Sequence, residues 1–445
     1  MLKSLNFGVK GWILLLYQFM GFVAYTVFTN YPMNMLAEMY GGAQKLSTLY
    51  TAGAVVAIVI QLVLSAFIGK IKSIKWLGGI FGIITMIFAM CIMVINPLVN
   101  PNLMGAWQGC YFIICIFAPM WGTFSISTLV GQWFPTKKGT FMGVATIAFP
   151  IINGLMGAFA AMVFGKGGMP NVFGAYLPFW IVIAVVMVIG LLLLKDYPEQ
   201  CGAYRDNDKN LTPEIANAML QQEIENKRTS VWKTGGTMSN RDYWFITVSC
   251  GLLLMFSVGT MTQTASIIGS YGDAMNKFGG FAGVMVLIMI FGIIGSVVIG
   301  FIDTAIGTKK AMIISCAIML LSGICGMMGN AAATVAALIL LAIFMGASSN
   351  FTVSAAAQYW RREDFTSIFA CLNPVANLLS AIGPTVIAIM MVSKGTFGVF
   401  GVICGAGVLG IILMLLFSPK HVKVIDDRRR ERAGKALDDA LVGRK

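Results

Sequence analysis

Charged residues are scarce in this sequence. Asp, Glu, Lys and Arg together make up 11% of its 445 residues, against about 25% in an average soluble domain. Hydrophobic residues make up 58%. A soluble fold could not hide so much apolar surface from water, whereas a bilayer replaces water as the solvent for most side chains. The composition therefore excludes an ordinary soluble protein and indicates one that is embedded in a membrane.

The residues of common catalytic and metal centres are also missing. His421 is the only histidine, no two cysteines form a Cys-x-x-Cys pair, and no G-x-x-x-x-G-K-[ST] loop for ATP phosphates occurs. Eight of the nine cysteines lie in apolar runs, where a thiol packs as a small apolar side chain. The sequence predicts no cofactor, no metal site and no enzyme.

Twelve apolar runs are long enough to cross the bilayer core, which takes about 20 helical residues. They begin near residues 11, 47, 77, 104, 139 and 177 and, after a polar stretch, near 244, 279, 311, 333, 365 and 397. We number them spans 1 to 12. The first run is too long for a secretory signal and is expected to be retained. The predicted fold class is an all-α membrane protein with twelve transmembrane helices.

The basic residues are divided unequally between the two sides of the predicted membrane. Of the 31 Lys and Arg residues, 27 fall in the termini or in the connections that follow even-numbered spans, and the other side holds only Lys45, Lys166, Lys277 and Lys394. Since basic residues collect on the cytoplasmic side, we predict a multi-pass inner-membrane protein with both termini in the cytoplasm. The net charge of +13 reflects this asymmetry and indicates no nucleic-acid partner.

The polar stretch divides the chain into two halves. We predict a six-helix bundle over residues 1–194, a cytoplasmic connector over 195–243, a second six-helix bundle over 244–417 and a basic tail over 418–445. In the connector, Thr212, Pro213 and Glu214 form a typical helix start. In the tail, the run Arg428-Arg429-Arg430-Glu431-Arg432 is expected either to rest on anionic lipid headgroups or to lie free in solvent.

Three short motifs recur in the same order in the two halves. Spans 4–5 contain Phe124-Ser-Ile-Ser127, Gln132-Trp133-Phe134 and Pro150-Ile-Ile-Asn153, and spans 10–11 contain Phe351-Thr-Val-Ser354, Gln358-Tyr359-Trp360 and Pro374-Val-Ala-Asn377. These positions are equivalent in two sets of six spans, so the motifs predict a duplicated architecture of two pseudo-symmetric bundles. Parallel repeats of this kind are typical of transporters that bind their solute at the midplane, between the repeats.

With this repeat, the sequence resembles the major facilitator superfamily over essentially its full length. The connection between spans 8 and 9 contains Gly300, Asp303, Gly307, Lys309 and Lys310, which is similar to the basic signature loop of that family. The resemblance implies that Asp303, Lys309 and Lys310 latch the cytoplasmic gate. The segment Gln132-Trp-Phe-Pro-Thr-Lys-Lys-Gly139 is similar to the monocarboxylate and oxalate/formate branch of the family.

Ionisable side chains are absent from the middle of every span, so the midplane offers only neutral polar groups. In span 1, Gln18, Gly21, Tyr25 and Thr29 share one helix face, and in span 7 Ser257, Thr260 and Thr264 do the same. Hydrogen bonds between helices are the alternative role for each residue. Span 4 adds Trp121, span 10 adds Asn350, and Gln263 lies next to Thr264 in span 7. Our candidate substrate-binding residues are Tyr25, Trp121, Gln263 and Asn350.

Asn153 and Asn377 are the sharpest candidates for substrate binding. Each lies three residues after a proline, Pro150 or Pro374, which cannot donate a helix hydrogen bond and kinks the helix. An amide side chain at such a kink can bind a hydroxyl or carboxylate of a solute. The alternative is that each asparagine only repairs the kink locally.

We therefore predict a secondary active or facilitative carrier that works by alternating access. Its partners are a small organic solute, membrane lipids and a possible coupling ion, and we expect a monomer. The first choice of solute is an organic or amphipathic acid. A multidrug-type efflux carrier and a carrier of a neutral polar solute stay open as alternatives.

Overall fold

The computed structural model describes residues 6–67, 71–134, 137–165, 170–208, 210–228, 231–361 and 364–442. Within these ranges every regular element is a helix, which confirms the predicted all-α fold class. Eleven helical segments are long and apolar enough to cross a membrane. Pro135 and Thr136 of the segment Gln132–Gly139 lie outside the described residues.

The helices coincide closely with the predicted spans. Spans 1 to 3 and span 6 of the first half are Gly8–Tyr31, Ala43–Phe67, Ile74–Val94 and Val172–Leu193. Spans 7 to 10 of the second half are Arg241–Thr262, Gly280–Ile306, Thr308–Met327 and Ala331–Tyr359. Large apolar side chains remain exposed at helical spacing on the outside, as Ile80, Ile83 and Ile87 of span 3 do. This outer surface suits contact with acyl chains.

Spans 4 and 5 are irregular, and proline is the common cause. Span 4 runs as Met104–Pro119, then a π-helical stretch, Met120–Ser125, then Ile126–Trp133. Pro119 has no N–H to donate, so the α-helical hydrogen-bond pattern ends there and a π-helical pattern follows. Span 5 is divided into Lys138–Ala145, Ala148–Gly154 and Met156–Phe164, with Pro150 in the middle piece. The predicted kink at Pro150 is thus replaced by two interruptions, at Thr146 and Ile147 one turn before the proline and at Leu155 after it.

Spans 11 and 12 form one helical stretch, Phe365–Leu416. It contains Pro374 and Pro384 without a break and turns only at Gly395, where φ is 61° and ψ is −157°. Residues with a side chain rarely adopt a positive φ, so glycine permits this turn. The break lies two residues before the predicted start of span 12 near 397. The twelfth predicted span is therefore the part of this stretch after Gly395.

The connector and the tail are helical as well. The connector contains the helices Pro213–Arg228 and Thr234–Met238, and the predicted start at Thr212 is confirmed, because its hydroxyl accepts a hydrogen bond from the Ile215 N–H at 3.4 Å. The tail forms the helix Pro419–Val442.

The tail helix docks on the protein, which corrects both alternatives considered for Arg429 and Arg430. Arg430 pairs with Asp364 at the start of span 11, and Arg429 lies over the ring of Trp232 in the connector, 4.2 Å from the ring centroid. Asp426 accepts hydrogen bonds from the Trp232 indole at 2.8 Å and from Arg361 at 2.8 Å. Burial alone would raise the pKa of Asp426, but these donors and the guanidinium of Arg430 outweigh burial and lower it.

Candidate functional site: a central cavity between the two halves

A central cavity of about 40 Å³ lies between the two halves. Its lining comes from spans 1, 4 and 5 of the first half and from spans 7, 10 and 11 of the second, which are equivalent positions in the predicted repeat. The lining residues are Tyr25, Asn30, Thr123, Phe149, Asn153, Leu254, Ser257, Val258, Met261, Met345, Ser349, Asn377 and Ser380. A single water needs roughly 10–15 Å³. The cavity therefore has room for only a few water molecules.

A second, smaller lobe of about 20 Å³ adjoins the first and shares Tyr25, Thr123, Asn377 and Ser380 with it. Tyr50 and Gln61 of span 2 complete its wall, and the hydroxyl groups of Tyr25 and Tyr50 are hydrogen-bonded to each other. None of the described residues that line the two lobes carries a charge. The site can therefore offer hydrogen bonds, thioether sulfur and aromatic surface, but no ion pair.

Asn153 and Asn377 both line the cavity, and solute binding by them stays a prediction. The Nδ2 atom of Asn153 donates to the carbonyl of Phe149 at 2.8 Å, and the Nδ2 atom of Asn377 donates to the carbonyl of Asn373 at 2.9 Å. Each acceptor is the residue directly before a proline, Pro150 or Pro374. Each side chain thus hydrogen-bonds the preceding turn of its own helix and also lines the cavity.

The other predicted binding residues are divided between the cavity and the helix contacts around it. Tyr25 lines both lobes. Trp121 is fully buried against span 1, where its indole N–H donates to the Tyr17 hydroxyl at 3.0 Å. Gln263 reaches Ser47 of span 2 at 3.5 Å, and Asn350 reaches the Thr146 hydroxyl of span 5 at 3.3 Å. Solute contact by these last three residues stays a prediction that this conformation does not support.

The predicted gating residues lie at the end of the molecule that carries the connector and the tail. Asp303 is 7% exposed and accepts a hydrogen bond from the Thr308 hydroxyl at 2.6 Å. Lys309 donates to the Phe417 carbonyl at 2.6 Å, and Lys310 is exposed. Among the described residues Asp303 makes no ion pair with either lysine. Gly139 of span 5 lies beside Asp303, so the loop does touch the first half.

Sequence reasoning missed Asn30, Thr123, Ser349, Ser380 and Gln61. Three of them lie within one or two positions of residues named above, since Asn30 follows Thr29, Thr123 lies two residues after Trp121 and Ser349 precedes Asn350. A shift of one residue turns a helical side chain by about 100°. In span 4 the π-helical stretch changes this register, and hydropathy carries no signal for it.

The comparisons with known proteins agree with this architecture. Residues 252–442 match the family model of the Major Facilitator Superfamily. The fold is similar to that of a solved human structure, described as the organic anion transporter MFSD10 (TETRAN), with a TM-score of 0.63 and 12% sequence identity. That match covers 90% of this chain and 97% of the human one. Among curated protein sequences, none matches the chain.

The family match covers most of the second half, the fold match extends over both halves, and the cavity is formed by equivalent spans of each. Residues 252–442 are thus similar to the Major Facilitator Superfamily, and the fold of the whole chain is similar to that of the human transporter structure.

Proposed function

We propose that the protein carries a small polar organic solute across the cell membrane by alternating access. The observation that supports this most is the uncharged polar cavity, which draws on three equivalent spans from each half. Rocking of the halves would open that site to one side at a time. An organic or amphipathic acid is a second candidate solute, favoured by the branch resemblance and by the printed description of the human structural neighbour. The direction of transport and the coupling ion are determined by transport measurements under imposed ion gradients.

Counterflow in proteoliposomes tests the proposal. Vesicles that contain the purified protein are loaded with a panel of unlabelled neutral polyols, amides and carboxylic acids, and exchange with each labelled compound is measured under imposed proton and sodium gradients. We expect exchange for at least one compound. Ser380→Trp should abolish it, because an indole would fill a cavity of about 40 Å³, while Val298→Trp on the exposed face of span 8 should not.

Asn377→Ala provides a milder second variant in case Ser380→Trp fails to fold. We expect it to lower the exchange rate several-fold, because the cavity loses a hydrogen-bonding group. Exchange that neither variant alters would contradict the assignment of the cavity as the transport site.

We propose in addition an inner-membrane location with both termini in the cytoplasm, bundles at residues 1–194 and 244–417, and a monomeric state. The unequal division of Lys and Arg supports the orientation. Reporter fusions at Gly329, between spans 9 and 10, and at the carboxyl terminus test it. The first should report the outside and the second the cytoplasm.

A further inference from the structure

The orientation of the Asn153 amide is fixed by its neighbours. Its Nδ2 atom lies 2.8 Å from the Phe149 carbonyl oxygen and 3.7 Å from the Met345 sulfur, and both of these atoms can only accept a hydrogen bond. The nitrogen must therefore face them. The Oδ1 atom points away, is buried, and has no hydrogen-bond partner among the described residues. A buried carbonyl oxygen without a donor is costly, so this atom favours a ligand that brings one.

Asn377 repeats the arrangement from the other half. Its Nδ2 atom donates to the Asn373 carbonyl, which leaves its Oδ1 atom as the free end of the amide in the cavity wall. Thr123 adds a third acceptor, because its hydroxyl hydrogen is used on the Pro119 carbonyl at 2.6 Å and only its lone pairs remain. Three polar groups of the wall are thus held as acceptors by the protein backbone.

The cavity lacks the groups that a charged solute would need. Among the residues that the structure describes, no Lys, Arg or His lines it to neutralise a carboxylate, and no Asp or Glu lines it to neutralise an ammonium group. A carboxylate would in addition meet the lone pairs of Asn153, Asn377 and Thr123. Burial of an unpaired charge is far more costly than burial of a hydroxyl that finds an acceptor.

We infer that the site selects uncharged solutes that present hydroxyl or N–H donors, and that Asn153 and Asn377 bind two of these donors through their side-chain oxygens. The inference rests on the proposed function and narrows its small polar solute to a neutral, donor-rich one, such as a polyol or an amide. Both amide groups are held with the Nδ2 atom toward the backbone and the Oδ1 atom toward the solute, whereas an amide free to rotate could present either atom.

Matched compounds test the inference by binding, without any need for transport. The purified protein is titrated with sugars and polyols of three to six carbons, with the aldonic acid and the amino sugar of the same skeleton, and with the methyl ethers that lack donors. Thermal stability and calorimetry report affinity. We expect at least one neutral compound to bind and its acid, amine and ether to bind at least ten-fold more weakly. An acid or amine that binds as tightly, or a panel in which no neutral compound binds, overturns the inference.

Asn153→Leu and Asn377→Leu should each lower the affinity for the neutral compound roughly five- to ten-fold, which is the effect of one lost hydrogen bond. Asn34→Leu is the matched control. Asn34 has the same geometry, with Nδ2 donating to the Asn30 carbonyl at 3.1 Å and Oδ1 buried without a partner, but it does not line the cavity. Equal loss in all three variants would mean that helix repair, not solute binding, is measured. Exchange of an acid that Ser380→Trp blocks would leave the proposed function standing and this inference refuted.

Discussion

The two halves meet along two lateral contacts that are equivalent in the repeat but differ in construction. We call them the glycine seam, where span 5 meets span 8, and the hydroxyl seam, where span 11 meets span 2. In the glycine seam, Gly292 faces Pro150 and Gly154 faces Met289, and a Cβ atom at either glycine would lie 2.5–2.6 Å from its neighbour. In the hydroxyl seam, Thr51 donates to the Ala381 carbonyl at 2.8 Å and lies 3.2 Å from the Thr385 hydroxyl.

The two seams differ because the helix is interrupted near Pro150 in span 5 but continues through Pro374 in span 11. Span 5 is broken around Pro150, and its short middle piece lies directly against span 8, whereas span 11 continues through Pro374 as one helix. A broken helix needs a close neighbour to hold its pieces, and small residues allow that approach. A continuous helix can be held by a few hydrogen bonds instead. Spans 5 and 11 therefore present the asparagine of the same Pro-x-x-Asn motif to the cavity but differ in their outer contacts.

The largest effect is expected in the glycine seam. Gly154→Ala places a methyl group 2.5 Å from the Met289 Cβ atom, so the two spans must separate. We expect a loss of about 1–3 kcal/mol in stability, measured as the melting temperature of the purified protein. Gly143→Ala in the same span is the control, since nothing lies within 4 Å of its added carbon. Equal melting temperatures of the two variants would show that the close approach of spans 5 and 8 does not contribute to stability.

The hydroxyl seam should respond less. Thr51→Val keeps the shape of the side chain but removes the donor to Ala381, and hydrogen bonds between membrane helices are worth about 0.6 kcal/mol on average. Thr51→Ser restores the hydroxyl and should restore the melting temperature. A drop for Thr51→Val as large as that for Gly154→Ala would remove the distinction between the seams.

Several of these features could be predicted from sequence and others could not, for physical reasons. Span length and polarity depend on the bilayer, so hydropathy locates the helices, and the repeated Pro-x-x-Asn motif leads to Asn153 and Asn377. The break around Pro150 depends on which helix lies beside it, and Pro374 shows that the same residue can leave a helix whole. The tail could not be predicted, because Arg430 and Asp364 are brought together only by the folded second half.

A smaller coupling is expected where spans 5 and 10 meet, at the hydrogen bond from Asn350 to the Thr146 hydroxyl. At 3.3 Å it is long, and the Asn350 Oδ1 atom is buried without a partner. Asn350→Leu alone should thus change stability little. A double-mutant cycle with Thr146→Val isolates the pair, and we expect a coupling of about 0.5 kcal/mol. A coupling near 2 kcal/mol would instead place the main link between the halves here.

The smallest effect on transport is expected from the tail, whose contacts named above lie outside both seams. Asp426 has a lowered pKa, so its contribution to tail docking is complete above the unfolded aspartate value of about 3.9 and is lost only as the pH falls through the lower folded value. The protection from hydrogen exchange that Asp426 gives the tail helix, measured as the difference between the wild type and Asp426→Asn, should therefore be the same between pH 5 and pH 8. Asp426→Asn should raise the exchange of the tail helix relative to the spans throughout that range, because Arg361 and Arg430 lose their charged partner. Asp427→Asn, on an exposed side chain that pairs only at the surface with Arg361, should leave it nearly unchanged. Solute exchange should be the same in both variants, since neither seam is altered. A transport defect in Asp426→Asn alone would mean that the docked tail, and not the seams by themselves, sets how the halves move.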